Sequence, residues 1–139
     1  MIADLPQDIP AEVIEMTNEY RNEHGVPSLV YDLELQKAAQ LRADEIVSNK
    51  TFKHDGFGDV ISKTLYAYGL PSVFVGENLS CGFKQPTNIF SAWLRSKSHR
   101  KNVLETRFKS VGVATIRGDV NFGKCKNNSL IVVQIFGEA

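Results

Sequence analysis

Apolar residues recur at helical spacing through the first part of the chain. Residues 10–24 are predicted to form a first helix, which Gly25 ends. Residues 33–48 predict a second helix with Asp32 as its N-cap, because an aspartate can accept from the free amides of the first turn. Residues 59–68 predict a third, shorter helix. The chain therefore begins with helices.

The second half of the chain carries shorter runs rich in β-branched residues. Residues 72–81, 111–116 and 130–136 are predicted to be strands, and the last two are expected to pair antiparallel across a loop of turn-forming residues. A further helix is predicted at 86–95, before a polar and cationic run at 96–102. Strands that follow helices without regular βαβ alternation indicate an α+β domain.

Length and composition fit one domain spanning residues 1–139. The chain has 139 residues, of which 42% are hydrophobic, and no apolar run approaches the ~20 residues needed to cross a bilayer. No signal peptide is visible in residues 1–10. Sixteen Lys and Arg balance sixteen Asp and Glu, which argues against a nucleic-acid partner bound through bulk charge.

Two cysteines, Cys81 and Cys125, leave two interpretations open. They are too few and too widely spaced for a four-ligand zinc site. They form one disulfide, which would indicate an oxidising compartment, or they are unrelated buried thiols.

The candidates for chemistry are His54, Glu77 and His99. Glu77 lies in an otherwise apolar strand, and a buried carboxylate needs a partner, for which histidines are natural. Two imidazoles and a carboxylate can hold Zn²⁺ or move protons without a metal. The alternative is that each residue satisfies local backbone groups in a loop. The sequence contains no HExxH motif.

Two other groups of residues receive structural interpretations. Three aromatic residues are expected in the core: Phe83, Phe90 and Trp93. The cationic run is predicted to be a solvated loop, with binding to an anionic surface as the alternative. The cations concerned are Arg95, just before this run, and Lys97, Arg100 and Lys101 within it.

The order of motifs resembles the CAP superfamily, also called the SCP-like domain, and most closely its bacterial secreted branch. The resemblance covers residues 18–137. It rests on N-x-x-R from Asn18, G-V-P-x-L from Gly25, L-x-x-A-A from Leu35, the lone His54, G-E-N-L from Gly76, W-x-x-S-x-x-H-R-x-N-V-L from Trp93 and G-V-A from Gly112.

This resemblance implies a three-layer α-β-α sandwich around a central antiparallel sheet. It also implies that His54, Glu77 and His99 line one cleft, where some family members bind a divalent metal through the two histidines. Family members commonly place a second glutamate where this chain has Ser96, so a full tetrad of two His and two Glu is not expected. Asn102 falls where an amide often lines the same cleft.

Two functions follow as expectations. The first is a secreted extracellular binding module, whose signal peptide is not in this chain and whose partner is a lipid, another small ligand or a cell-surface component. Its cofactor, if it has one, would be a divalent metal such as Zn²⁺ held by His54 and His99. The alternative is a metal-dependent, peptidase-like hydrolase in which Glu77 serves as the base.

Overall fold

A computed structural model describes residues 8–50, 74–120, 125 and 127–138. The helix predicted at 59–68 lies outside these residues. The described helices are α1 (Ile9–Glu23), α2 (Leu33–Asn49), α3 (Pro86–Arg95) and α4 (Lys97–Leu104). The described strands are β1 (Val30–Tyr31), β2 (Val75–Cys81), β3 (Ser110–Gly118) and β4 (Ser129–Gly137).

The four strands form one sheet in the order β1-β3-β4-β2. Strand β4 pairs antiparallel with both β2 and β3, which confirms the predicted pairing of the last two runs. The short strand β1 was not predicted, and it runs parallel to β3. The predicted antiparallel sheet is therefore mixed at one edge, because the segment between the first two helices adds a parallel strand there.

Helices cover both faces of this sheet, as the alternation along β4 shows. Ile131, Val133 and Ile135 pack in one cluster with the alanine-rich face of α2. Val132 and Phe136 point to the other side, into a cluster with residues of α1, α3 and α4. Successive strand residues face opposite sides of a sheet, so one strand supplies both cores. The predicted α+β class and the α-β-α layering are confirmed.

Side-chain caps fix where the first two helices begin. The Asp8 carboxylate accepts from the backbone N–H of Ala11 at 3.1 Å, and that of Asp32 accepts from Leu35 N–H at 3.0 Å. Each contact satisfies an amide that has no partner within its own helix. The N-cap predicted at Asp32 is confirmed.

The polar run at 96–102 does not form the predicted loop, because residues 97–104 are helix α4. Few apolar residues mark this helix in the sequence, and its buried residue is Val103. The prediction for Phe83 is also wrong, since 37% of this residue is exposed. It lies beyond the end of β2, outside the strands and helices that form the core, whereas Phe90 and Trp93 lie in the core as predicted.

A disulfide joins Cys81 and Cys125, which decides between the two interpretations of the cysteines. It ties the end of the edge strand β2 to the connection between β3 and β4. Both residues pack against the apolar cluster on the α2 side of the sheet.

Candidate functional site

The Glu77 carboxylate is buried on the α2 side of the sheet and paired with Arg42. Arg42 Nε donates to Glu77 Oε2 at 2.8 Å, and Nη2 donates to Oε1 at 3.4 Å. The two side chains are 2% and 1% exposed. A third nitrogen of Arg42 donates to Glu45 Oε1 at 2.8 Å. The fixed fork of a guanidinium matches the two oxygens of a carboxylate, so this pair anchors β2 to α2.

Arg42 is the buried partner of Glu77 that the sequence analysis missed. The buried face of α2 includes Ala38, Ala39, Ala43 and Ile46, and position 42 falls on the same face. A charged residue within an apolar helical face needs an opposite charge on the facing element. The charge of Arg42 on an apolar helical face was therefore the signal in the sequence for a buried ion pair. The carboxylate of Glu77 in an apolar strand was the matching signal for its partner.

On the other face of the sheet, Asn78 belongs to a chain of buried neutral hydrogen bonds. Asn78 Nδ2 donates to Gln134 Oε1 at 3.2 Å, and Gln134 Nε2 donates to Thr17 Oγ1 at 2.9 Å. The Thr17 hydroxyl donates to the Val13 carbonyl at 2.7 Å. Asn78, Gln134 and Thr17 are fully buried. This amide chain links β2, β4 and α1.

Helix α4 joins the amide chain through Asn102 and His99. Asn102 Nδ2 donates to the Glu77 carbonyl at 3.1 Å and to Asn78 Oδ1 at 3.0 Å. Asn78 Nδ2 also lies 3.3 Å from the carbonyl of His99. The resemblance implied that Asn102 lines a cleft, and its amide here holds the edge strand to α4.

The structure describes four of the predicted site residues: Glu77, Ser96, His99 and Asn102. The carboxylate of Glu77 points toward α2, whereas His99 is carried by α4 on the opposite face and is partly buried. Ser96 lies between α3 and α4, with its hydroxyl 3.3 Å from that of Ser98. His54 lies outside the described residues. The convergence of His54, Glu77 and His99 stays a prediction.

The metal site predicted at His54 and His99 stays a prediction, because His54 lies outside the described residues. Within residues 8–50, 74–120, 125 and 127–138, no three His, Cys, Asp or Glu side chains are grouped so that they could hold a metal ion. Among these residues, the charged partner of the Glu77 carboxylate is the guanidinium of Arg42, at 2.8 Å.

Two residues of the N-x-x-R motif have structural roles at the end of α1. The guanidinium of Arg21 donates to four backbone carbonyls, those of Pro27, Val103, Glu105 and Phe108, at 2.8–3.2 Å. Burial lowers the pKa of Arg21, and the charge of Glu105 opposes that change. Asn18 exchanges two hydrogen bonds with the backbone of Leu29. The motif thus fixes the connections around α1.

Glycines in two other motifs allow close packing. A Cβ at Gly76, in G-E-N-L, would lie 2.7 Å from the Phe108 ring, and a Cβ at Gly112, in G-V-A, would collide with the backbone at Leu35 and Gln36. Gly112 therefore lets β3 pass directly beneath the start of α2. Both glycines allow close contacts that a larger residue would block.

These features agree with what comparison with known proteins finds. Residues 14–136 match the model of the CAP family, described as the cysteine-rich secretory protein family. The match spans most of the chain, and the chain belongs to the CAP family.

Two relatives come from Bacillus subtilis. The uncharacterized protein YkwD is 30% identical over 107 residues, which are 76% of this chain and 41% of YkwD. The uncharacterized membrane protein YlbC is 23% identical over 108 residues, which are 76% of this chain and 31% of YlbC. The chain thus spans less than half the length of either relative.

Solved structures share the fold. A cysteine-rich secretory protein of Staphylococcus aureus superposes with a TM-score of 0.77 at 20% identity, covering 95% of this chain and 38% of that one. An outer surface protein of Borrelia burgdorferi superposes with a TM-score of 0.75 at 24% identity, covering 91% of this chain and 89% of that one. An extracellular SCP-domain protein of Bacillus anthracis superposes with a TM-score of 0.75 at 24% identity, covering 94% of this chain and 40% of that one. None of the helices described in our chain is long and apolar enough to cross a membrane.

Proposed function

We propose that this chain is a secreted extracellular binding domain and that Glu77 supports its structure rather than catalysing hydrolysis. The observation that carries the proposal is the position of the Glu77 carboxylate. Both of its oxygens face Arg42, and its side chain is 1% exposed. A general base must come within about 3 Å of the atom whose proton it removes, and a carboxylate enclosed between sheet and helix is not placed to reach such an atom of a substrate.

The site of binding is proposed to lie on α4 and the adjoining edge strand. His99 and Ser96 are partly exposed there, and Asn102 fixes α4 against β2 through two hydrogen bonds. His54 completes this site if the resemblance to the family extends to residue 54. The ligand is then a small molecule, a lipid or a divalent metal held by the two imidazoles.

Two observations support the location outside the cell. The Cys81–Cys125 disulfide is of a kind that persists in oxidising compartments. The solved relatives with the same fold are named as secretory, outer surface or extracellular proteins.

The binding site is tested by following the three histidine ring protons by NMR during a titration with Zn²⁺. If His54 and His99 form one site, their signals shift together and the His99→Ala variant loses both shifts. The matched control is His24→Ala, because His24 is exposed at the end of α1 and bonds only locally to Tyr20. If His24→Ala abolishes the shifts, or His99→Ala leaves the His54 shift unchanged, the two-histidine site is wrong.

The proposal that Glu77 does not catalyse hydrolysis is tested separately, by measuring cleavage activity. Purified chain and the Glu77→Gln variant are compared on fluorogenic peptide and ester substrates, with thermal melting recorded on the same samples. We expect the variant to melt at a lower temperature than the native chain, and we expect the same cleavage rate in both. Cleavage by the native chain that disappears in a still-folded Glu77→Gln variant would establish the hydrolase instead.

A further inference from the structure

Positive charge is segregated in this chain, although its net charge is zero. Residues 78–104 contain five Lys and Arg and no Asp or Glu, while the rest of the chain has eleven Lys and Arg against sixteen Asp and Glu. Four of the five lie within seven residues and are called the basic cluster here: Arg95, Lys97, Arg100 and Lys101. Such a block of like charge creates a local positive potential that the net charge conceals.

The structure presents the basic cluster on a rigid element rather than on a loop. Arg95 ends α3, and the other three residues lie on α4. Lys97 and Lys101 are one helical turn apart and both exposed, so they share one face. Arg100 Nη1 donates to the Leu94 carbonyl at 2.9 Å, so this guanidinium lies against the backbone at the end of α3. The four charges are therefore concentrated on α4 and at its junction with α3.

In the described part of the chain, no carboxylate forms an ion pair with a residue of the basic cluster. The ion pairs found there join Arg42 to Glu45 and Glu77, and Arg107 to Glu138. Arg21 is also fully engaged, with four carbonyls. The described arginines at positions 21, 42 and 107 thus hold structure together. In the basic cluster Arg100 bonds to the backbone of α3, and Arg95, Lys97 and Lys101 are exposed and available to an anion from solution.

We propose that the basic cluster binds a linear, phosphate-bearing polymer. Guanidinium groups recognise phosphate through paired hydrogen bonds, and ammonium groups add point charges along a chain of repeating anions. A membrane surface fits less well, since helices that lie on bilayers expose apolar side chains. The large apolar residues exposed in the described structure all lie outside residues 95–104. This surface uses other residues than the proposed histidine site and does not depend on it.

The test is binding of inorganic polyphosphate to the whole chain at several salt concentrations. If four cations contact phosphates, the slope of log affinity against log salt should be about −3, by analogy with single-stranded nucleic acids. The triple variant Arg95→Gln, Lys97→Gln, Lys101→Gln should bind about 10-fold or more weakly at low salt, with a slope of about −1. Arg100 is retained because it bonds to the backbone of α3.

A matched control removes the same charge elsewhere: Lys84→Gln, Lys109→Gln and Arg117→Gln, all at exposed positions. It should bind polyphosphate like the native chain, and thermal melting should show both triple variants folded. Equal loss in the control would overturn the proposal, because binding would then follow net charge alone. Equal affinity for hyaluronate, which carries carboxylates but no phosphate, would also overturn it, as would tighter binding to phosphatidylglycerol vesicles.

Discussion

The two faces of the sheet bury polar groups in opposite ways, and neighbouring residues of β2 show the contrast. Glu77 faces α2 as a full charge and is matched by the guanidinium of Arg42. Asn78 faces the other helices as a neutral amide and joins a chain that runs through Gln134 to Thr17. A buried charge depends on one strong partner, whereas a neutral chain distributes its hydrogen bonds over several elements. The two faces should therefore fail differently when one member is removed.

The largest effect is expected from Arg42→Met, which leaves the Glu77 carboxylate buried without its guanidinium. The free energy of unfolding should fall by about 3–5 kcal/mol, measured by urea denaturation. The double variant Arg42→Met, Glu77→Leu should recover most of this loss, since no charge remains to be desolvated. A loss below about 1 kcal/mol in the single variant would show that the pair does not control the stability of this face.

A smaller effect is expected from Gln134→Leu on the opposite face. This change removes the acceptor for Asn78 and the donor to Thr17, and it should cost about 2 kcal/mol in the same measurement. Ser80→Ala is the matched control, because the Ser80 hydroxyl is buried in the described structure without a hydrogen-bond partner. Its removal should change stability by less than about 0.5 kcal/mol. Equal losses in the two variants would mean that volume, not hydrogen bonding, matters here.

The smallest effect is expected at the ion pair of Arg107 and Glu138. This pair is exposed to solvent, in contrast to the buried pair of Arg42 and Glu77. The hydrogen bond from Arg107, followed by its charge, lowers the pKa of Glu138 below its usual value. Stabilisation from this pair is thus present above the pKa of Glu138 in the unfolded chain and is lost as pH falls through the folded value. NMR titration of the Glu138 carboxyl should show the lowered pKa. Arg107→Gln should raise it toward normal, and an unchanged pKa would contradict the assignment.

Local rules determined much of this fold from the sequence. The N-cap at Asp32 and the helices around residues 10–24 and 86–95 were predictable because caps and apolar periodicity act over a few residues. Helix α4 was not predictable, because its polar composition hides its helical periodicity. Packing of Val103 against the core stabilises this helix. Strand β1 was missed for a similar reason, because two residues carry no pattern of their own.

The candidate site shows the same division. The sequence alone identified Glu77 as a carboxylate that needs a partner, and the family resemblance assigned His99 and Asn102 to the same cleft. Only the tertiary structure decided that Arg42 binds Glu77 and that Asn102 holds α4 to β2. The physical reason is separation along the chain: Arg42 and Glu77 are 35 residues apart, and their meeting depends on how α2 crosses the sheet. Composition and periodicity act locally, whereas the choice of a buried charge's partner is made by packing.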